Sequence, residues 1–434
     1  MKAKALLLFV SFACASTACS FGQVDCSTSK KLVCEFPVSA TTLAANTVGN
    51  ANGGTVFALA EAASRPFDAS IATQLTQLPV PSAAIGTVYF RQPGKDAPVS
   101  FENLGPVLTD RPDTVGKHHL FVGFSYQHFN FNSLDGVSMG SLPAGYTFSQ
   151  TTTSGDTQTF WGTETNNVSF KLDQYIGVLT YGFTKKTDIS VVVPFNSVSL
   201  GAIANNFQSY EYDSASQTYQ NSSPAGISAR LAGTSSGIGD VIINVKQLLI
   251  GGEGRPAIAG GFMLRLPSGD ALNYLGSGAI GGNVYGLFEY RKKLAPHLKL
   301  SYQWNGNSQV MNLQAPSNTR LPGGLQYAAG ADFKINGHLT LAGDLLGNQF
   351  VNTPSFVVTT LNSQSTPAPP PGVTINLATP LTNSYTTVNL SGGVKLYLGK
   401  GFLIYGNALK QVNNVGLRSD VVPLVGIAYK WSKK

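Results

Sequence analysis

From Lys117 onward, apolar and polar residues alternate in segments of ten to sixteen residues separated by turn formers, the period-two pattern of strands with two unlike faces. Leu298, Leu300, Tyr302 and Trp304 interleave with Lys299, Ser301, Gln303 and Asn305. Leu325, Tyr327, Ala329, Ala331 and Phe333 interleave with Gln326, Ala328, Gly330, Asp332 and Lys334. Twelve such segments are predicted: 117–131, 168–183, 187–199, 238–250, 256–267, 281–293, 296–306, 323–335, 339–350, 384–398, 401–412 and 421–431. Long connections at 132–167, 200–237 and 351–383, and moderate ones at 268–280, 307–322 and 413–420, alternate with turns near Lys185, Gly252, Ala295, Gly337 and Lys400. An even strand count with this alternation predicts an all-β fold, a transmembrane antiparallel β-barrel of about twelve strands in the cell outer membrane, with short periplasmic turns and long extracellular loops.

The competing all-β solution is a secreted sandwich or jelly roll. Strands there average about five or six residues, whereas these segments are about twice as long and match the roughly 9–11 residues that cross a bilayer at a tilt. Aromatic residues stand at predicted strand ends, with Tyr181, Phe183, Tyr290, Tyr397, Tyr429 and Trp431 on the short-turn side and Tyr302 and Trp304 on the other, as interface girdles do. The polar face also carries Lys, Arg, Asp and Glu in mid-strand, which a sandwich core excludes.

Composition narrows the class. Charged residues are 12% of the chain and 24 Phe, 17 Tyr and 3 Trp are present, which excludes a disordered chain or a coiled coil. Mean hydropathy is +0.05, and no apolar run beyond the first two dozen residues reaches the roughly 18 of a spanning helix.

The N-terminus reads as a secretory leader over 1–18, with Lys2 and Lys4 before the apolar run Ala5 to Ala13 and small residues at the cleavage site. Cys19 follows Ala18, but without the Leu a lipidation site expects at position 16. Without Lys2 and Lys4, 27 of the 29 basic residues face 22 acidic ones, a net +5 too slight and dispersed to imply a nucleic-acid partner. Cys26 and Cys34, eight apart, are disulfide candidates in an oxidising compartment. Residues 19–116 form an N-terminal periplasmic segment with two readings, a disordered arm or a plug entering the lumen of a barrel over 117–434. Within it Asp68 is placed to cap a short helix carrying Ile71, Leu75 and Leu78, stopped by Pro79.

The run Leu104-Gly105-Pro106-Val107-Leu108-Thr109-Asp110-Arg111-Pro112-Asp113-Thr114-Val115-Gly116-Lys117, followed by Phe124-Ser125-Tyr126-Gln127-His128-Phe129, resembles the opening of the outer-membrane transporter family linked to the meta pathway of phenol degradation. Gly237-Ile238-Gly239-Asp240 and Leu266-Pro267-Ser268-Gly269-Asp270 are similar to its later landmarks, and the likeness runs from about 67 to 431. It implies a barrel passing small molecules, hydrophobic or aromatic ones included. The last strand, through Val425, Ile427, Tyr429 and Trp431, resembles the aromatic-ended strand that the barrel-assembly machinery recognises, with Ser432-Lys433-Lys434 departing from the usual terminal aromatic.

Candidate chemistry is sparse, and neither a cofactor nor a metal is predicted. Gly276-Ser277-Gly278-Ala279-Ile280-Gly281 matches a dinucleotide pattern by letter but follows a loop and precedes a strand, where that pattern needs a strand before and a helix after it; it is read as an exposed glycine loop. Tyr302-Gln303-Trp304-Asn305-Gly306-Asn307-Ser308 echoes an outer-membrane phospholipase signature but lacks its histidine. The five histidines, 118, 119, 128, 297 and 338, fall near the first strand or in short turns, so no nucleophile–base pair is assigned and no enzyme is predicted. With apolar residues facing outer-membrane lipid, the lumen-lining candidates are Lys171, Asp173, Asp240, Lys246, Arg265, Glu289, Arg291, Lys299, Asp332, Lys334, Asp344 and Lys395. They read as a bracing ion-pair ladder or as a constriction favouring anions.

The expected function is a channel or transporter for a small-molecule solute. The alternatives are a non-enzymatic surface barrel whose loops, including Pro367-Ala368-Pro369-Pro370-Pro371-Gly372, bind an outside partner, and a barrel hydrolase. Parity also predicts one turn. A three-residue loop Asn336-Gly337-His338 pairs Phe333 with Leu341 and Lys334 with Thr340, with Gly337 left-handed, whereas a two-residue Asn-Gly turn would mix the faces.

Overall fold

The computed structural model describes residues 30–34, 66–80, 104, 107–151, 153–222, 229–251, 256–290, 293–312, 320–365 and 367–431. The predicted leader, Cys19 and Cys26 lie outside them. Twelve antiparallel strands close a barrel: β1 Leu120–Leu134, β2 Thr157–Gly182, β3 Thr187–Asp213, β4 Ala229–Ile238 continued by Val241–Ile250, β5 Pro256–Leu266, β6 Gly281–Tyr290, β7 Leu294–Asn305, β8 Gly324–Lys334, β9 Leu339–Leu361, β10 Ile375–Gly399, β11 Phe402–Gln411 and β12 Val421–Trp431. The seam joins β1 to β12, from Leu120 opposite Trp431 to Gln127 opposite Leu424, so no strand edge is left open.

Each predicted segment contains a strand, but three predicted loops are mostly strand. β2 and β3 run 26 and 27 residues, and β9 and β10 run 23 and 25, far beyond the roughly 9–11 needed to cross a bilayer. In their outer halves Ser, Thr and Asn are frequent and the hydrophobic period disappears while the backbone ladder continues, although Phe160, Trp161, Ala204 and Phe356 are buried there. Leu142–Thr151 extends this wall by pairing with the start of β2, and Thr218–Ser222 pairs with the end of β3. The first strand begins at Leu120 rather than at 117, after left-handed Gly116 and His118. Ala295 lies within β7, which begins at Leu294.

The parity argument at β8–β9 holds: Phe333 opposes Leu341, Lys334 opposes Thr340, and Ile335 N–H donates to the Leu339 carbonyl at 3.0 Å. Gly337 does not adopt a positive φ. The Asn336 side chain instead accepts from the backbone N–H of His338 and Leu339, at 2.8 and 2.9 Å, and stabilises the turn without a left-handed residue.

Large apolar side chains are exposed on every strand, among them Phe124, Val193, Phe262, Leu300, Leu341 and Ile427. Such a continuous outward apolar surface around a closed barrel is a lipid-facing belt. Tyr181, Phe183 and Trp431 are exposed at its short-turn rim and Tyr302 toward the other, but Tyr397 turns inward and joins an internal cluster. The molecule is an outer-membrane β-barrel.

Candidate functional site

The lumen is occupied by parts of the N-terminal segment, which meet the wall in two ways. A helix over 66–75 starts at Pro66, a residue tolerated in a first helical turn. Residues from Phe67 to Thr73 are at most 3% exposed. Burial on all sides places the helix inside the barrel. Phe67 packs edge-on against Phe170 at 6.2 Å, and Ile71 and Ala72 join a cluster with Phe129, Leu172, Val198 and Tyr274. Asp68 does not act as a helix cap; it is buried and accepts from the Tyr274 hydroxyl at 2.5 Å. Burial and the neighbouring Asp68 carboxylate push the Tyr274 hydroxyl well above its ordinary pKa. Where the helix ends, the wall binds its polar groups: Arg265 Nη1 donates to the Thr76 carbonyl at 3.1 Å, Gln303 Nε2 to Thr76 Oγ1 at 3.0 Å, and Gln127 Nε2 to the Pro79 carbonyl at 3.0 Å.

The second contact is charged. Arg111 forms two bonds to Glu289, Nη2–Oε1 at 2.7 Å and Nε–Oε2 at 3.2 Å, and Nη2 lies 3.3 Å from Asp113. Lys246 Nζ donates to Asp110 Oδ1 at 3.1 Å and to the Arg111 carbonyl at 2.9 Å. Lys395 Nζ reaches the Leu104 carbonyl at 3.1 Å, Thr109 Oγ1 donates to Asp344 at 3.0 Å, and Val115 N–H donates to Asp188 at 2.8 Å. Arg111, Lys246, Lys395 and Glu289 are nearly fully buried, and ions in such a place persist only when paired. The Thr109-Asp110-Arg111-Pro112-Asp113 run is the latch.

The predicted lumen set divides. Asp240, Lys246, Arg265, Glu289, Asp332, Asp344 and Lys395 are buried inside the barrel. Lys299 lines the internal cavity described below, and Lys334 shares the strand face of Asp332. Lys171 and Asp173 are corrected to the outer face, where Asp173 accepts from Tyr126 at 2.6 Å and pairs with His128 at 2.8 Å. Over the stretch of β2 beside the helix the apolar set, Val168, Phe170 and Leu172, points inward, so there the polar residues face outward, whereas nearer the short turn Tyr175, Leu179 and Tyr181 are the outward ones. Arg291 lies outside the described residues. Cys34 is disulfide-bonded and buried, and its candidate partner Cys26 lies outside the described residues.

Two features escaped the sequence reading. His297 is not a turn residue; it lies inside, with Nε2 2.5 Å from Asp344 and Nδ1 3.5 Å from Asp332. It shares parity with Lys299 and Ser301, the signal that would have found it. The glycine run is not exposed: Gly276 and Ser277 are buried. Ser277 N–H and Oγ–H donate to Asp240 Oδ2 at 2.8 and 2.5 Å, and Gly269 N–H donates to Oδ1 at 3.2 Å. A Cβ at Gly276 would collide with that carboxylate. The loop therefore cradles the barrel's own anion. The phospholipase echo is dispersed, since Tyr302 faces outward while Ser308 is buried and donates to the Ser277 carbonyl at 2.6 Å.

Between the two contacts lies a cavity of about 220 Å³. It is bounded by 76–80 on one side and 108–110 on the other, with lining residues on all twelve strands.

No family model matches the chain, so the likeness to the phenol meta-pathway transporters rests on its short motifs; no curated protein matches either. Among solved structures, an outer membrane channel from Pseudomonas putida F1 is similar over 74% of this chain and 98% of its own, at 12% identity and TM-score 0.40. The NanC porin is similar over 67% and 99%, at 9% identity and TM-score 0.33. A FadL homologue from Pseudomonas aeruginosa is similar over 72% and 88%, at 9% identity and TM-score 0.27.

Proposed function

We propose that the protein is an outer-membrane channel or transporter for small solutes, with residues 66–116 acting as its plug. The observation that carries this reading is the cavity held between the helix and the latch inside a closed barrel. A barrel used only as a wall anchor has no need of an internal chamber lined by both polar and apolar groups. Preference for hydrophobic or aromatic solutes, and assembly through the aromatic-ended β12, extend the reading by resemblance. Deleting 66–116 leaves the strand ladders intact and is expected to raise single-channel conductance in planar bilayers; unchanged conductance rejects the plug. A second reading, a surface barrel binding an outside partner, draws on the β2–β3 and β9–β10 hairpins, whose length spanning does not require. Shortening those hairpins while measuring solute flux separates the two.

A further inference from the structure

Four charged side chains line the cavity: Asp110, Arg265, Lys299 and Arg418. Three have partners within the protein. Asp110 holds Lys246 at 3.1 Å; Arg265 donates to Asn305 at 2.6 Å and lies 3.6 Å from Asp240; Arg418 donates to the Val388 carbonyl at 2.9 Å and to Asn389 at 2.5 Å. Lys299 differs. Its ammonium lies 5.1 Å from the ring centre of Tyr285, and among the described residues it has neither a hydrogen-bond acceptor nor an ion pair. The Asp110 carboxylate, already bonded to Lys246, attracts this ammonium only at longer range, so its three N–H groups lack an acceptor within hydrogen-bond reach.

Another part of the wall has a different character. On β4, β3 and β2, three to five strands from β7 in the sheet order, Ile242, Val192 and Val178 face the same space. The chamber thus offers a cation without a hydrogen-bonded partner on one side and an apolar surface on another. We propose that this chamber is a binding site for a small organic monoanion with an apolar body, its carboxylate on Lys299 and its hydrocarbon against Val178, Val192 and Ile242. The assignment rests on the channel reading for the route by which the ligand arrives, but the site itself is tested by equilibrium binding.

The test uses the full chain in detergent and three probes of one shape and different charge: benzoate, benzyl alcohol and benzylammonium. Benzoate is expected to bind about ten- to hundredfold tighter than benzyl alcohol, the range for hydrogen bonds to a charged group, and benzylammonium weakest. Lys299→Met should abolish the benzoate preference while leaving benzyl alcohol unchanged, and Lys299→Arg should keep it. Equal binding of all three probes to the unmodified protein overturns the site without recourse to any variant, as does a benzoate preference that survives Lys299→Met. Flux of the same probes into liposomes separates the two claims. Benzoate-selective binding without flux supports the site and rejects the channel, whereas flux of all three with no preference in binding rejects the site and keeps the channel.

Discussion

The helix and the latch hold neighbouring parts of one segment in one lumen by opposite means. The helix fills an apolar pocket shaped by Phe170, Leu172 and Val198, a contact that tolerates exchange of similar shapes and ignores salt. The latch matches Arg111 to Glu289 and Lys246 to Asp110, and a single lost partner strands a buried charge. On the plug reading proposed above, the helix is the contact insensitive to single polar losses and 107–116 the one that a single lost partner weakens.

The most severe challenge to this contrast is Arg111→Met. It leaves Glu289 buried and alone and should cost about 3–5 kcal/mol, read as a lower urea midpoint and faster amide exchange across 107–116. Adding Glu289→Leu should recover much of the loss; no recovery would show that the pair is not the latch. The outer wall provides the control, because it touches neither contact. Leu300→Arg, placed in lipid, should cost about 2–4 kcal/mol with amide exchange in 107–116 unchanged, while inward Ser301→Arg should chiefly alter conductance. Equal destabilisation by the two would overturn the assignment of faces.

A milder change addresses the helix. Ile71→Val should cost about 0.5–1.5 kcal/mol, and the loss should be the same at low and high salt; a salt-dependent loss would mean that the helix, too, is held by charge. The smallest effect belongs to Lys31 and Asp270, 2.8 Å apart with side chains 40% and 38% exposed. Burial pushes the Asp270 carboxyl up, but Lys31 and Asn273 pull it below its ordinary 3.8. A depressed folded-state pKa contributes above the ordinary value and is lost as pH falls through the folded one. The contribution should therefore be full at neutral pH, be lost as the solution is acidified below the ordinary 3.8, and stay within the roughly 0.2–1 kcal/mol of exposed pairs. Comparing thermal midpoints of the parent and Lys31→Met across that window measures it.

Where both faces meet their expected surroundings, lipid outside and polar lumen within, the sequence was read correctly to the register of a single turn, as Phe333 opposite Leu341 shows. On β2 the same period was present, but between Val168 and Asp173 its sign is reversed because the inward partner there is an apolar helix, and that partner is encoded about a hundred residues earlier. Lys171 and Asp173 were misplaced for this reason. His297 and the Asp240 cradle were missed because their partners, Asp332, Asp344 and Ser277, lie on neighbouring strands or on a loop folded back into the lumen. Alternation along one strand carries no information about either.

The seam also sets an order of events. Leu120 and Trp431 pair across nearly the whole barrel sequence, the kind of distant contact whose loop-closure entropy makes it slow to form. Until it zips, the barrel is an open sheet with two free edges and its interior is reachable from the side. The lumen faces that receive the helix and the latch are reachable through that gap, and the pairing of β1 with β12 is the single contact that turns a sheet with two edges into a closed wall.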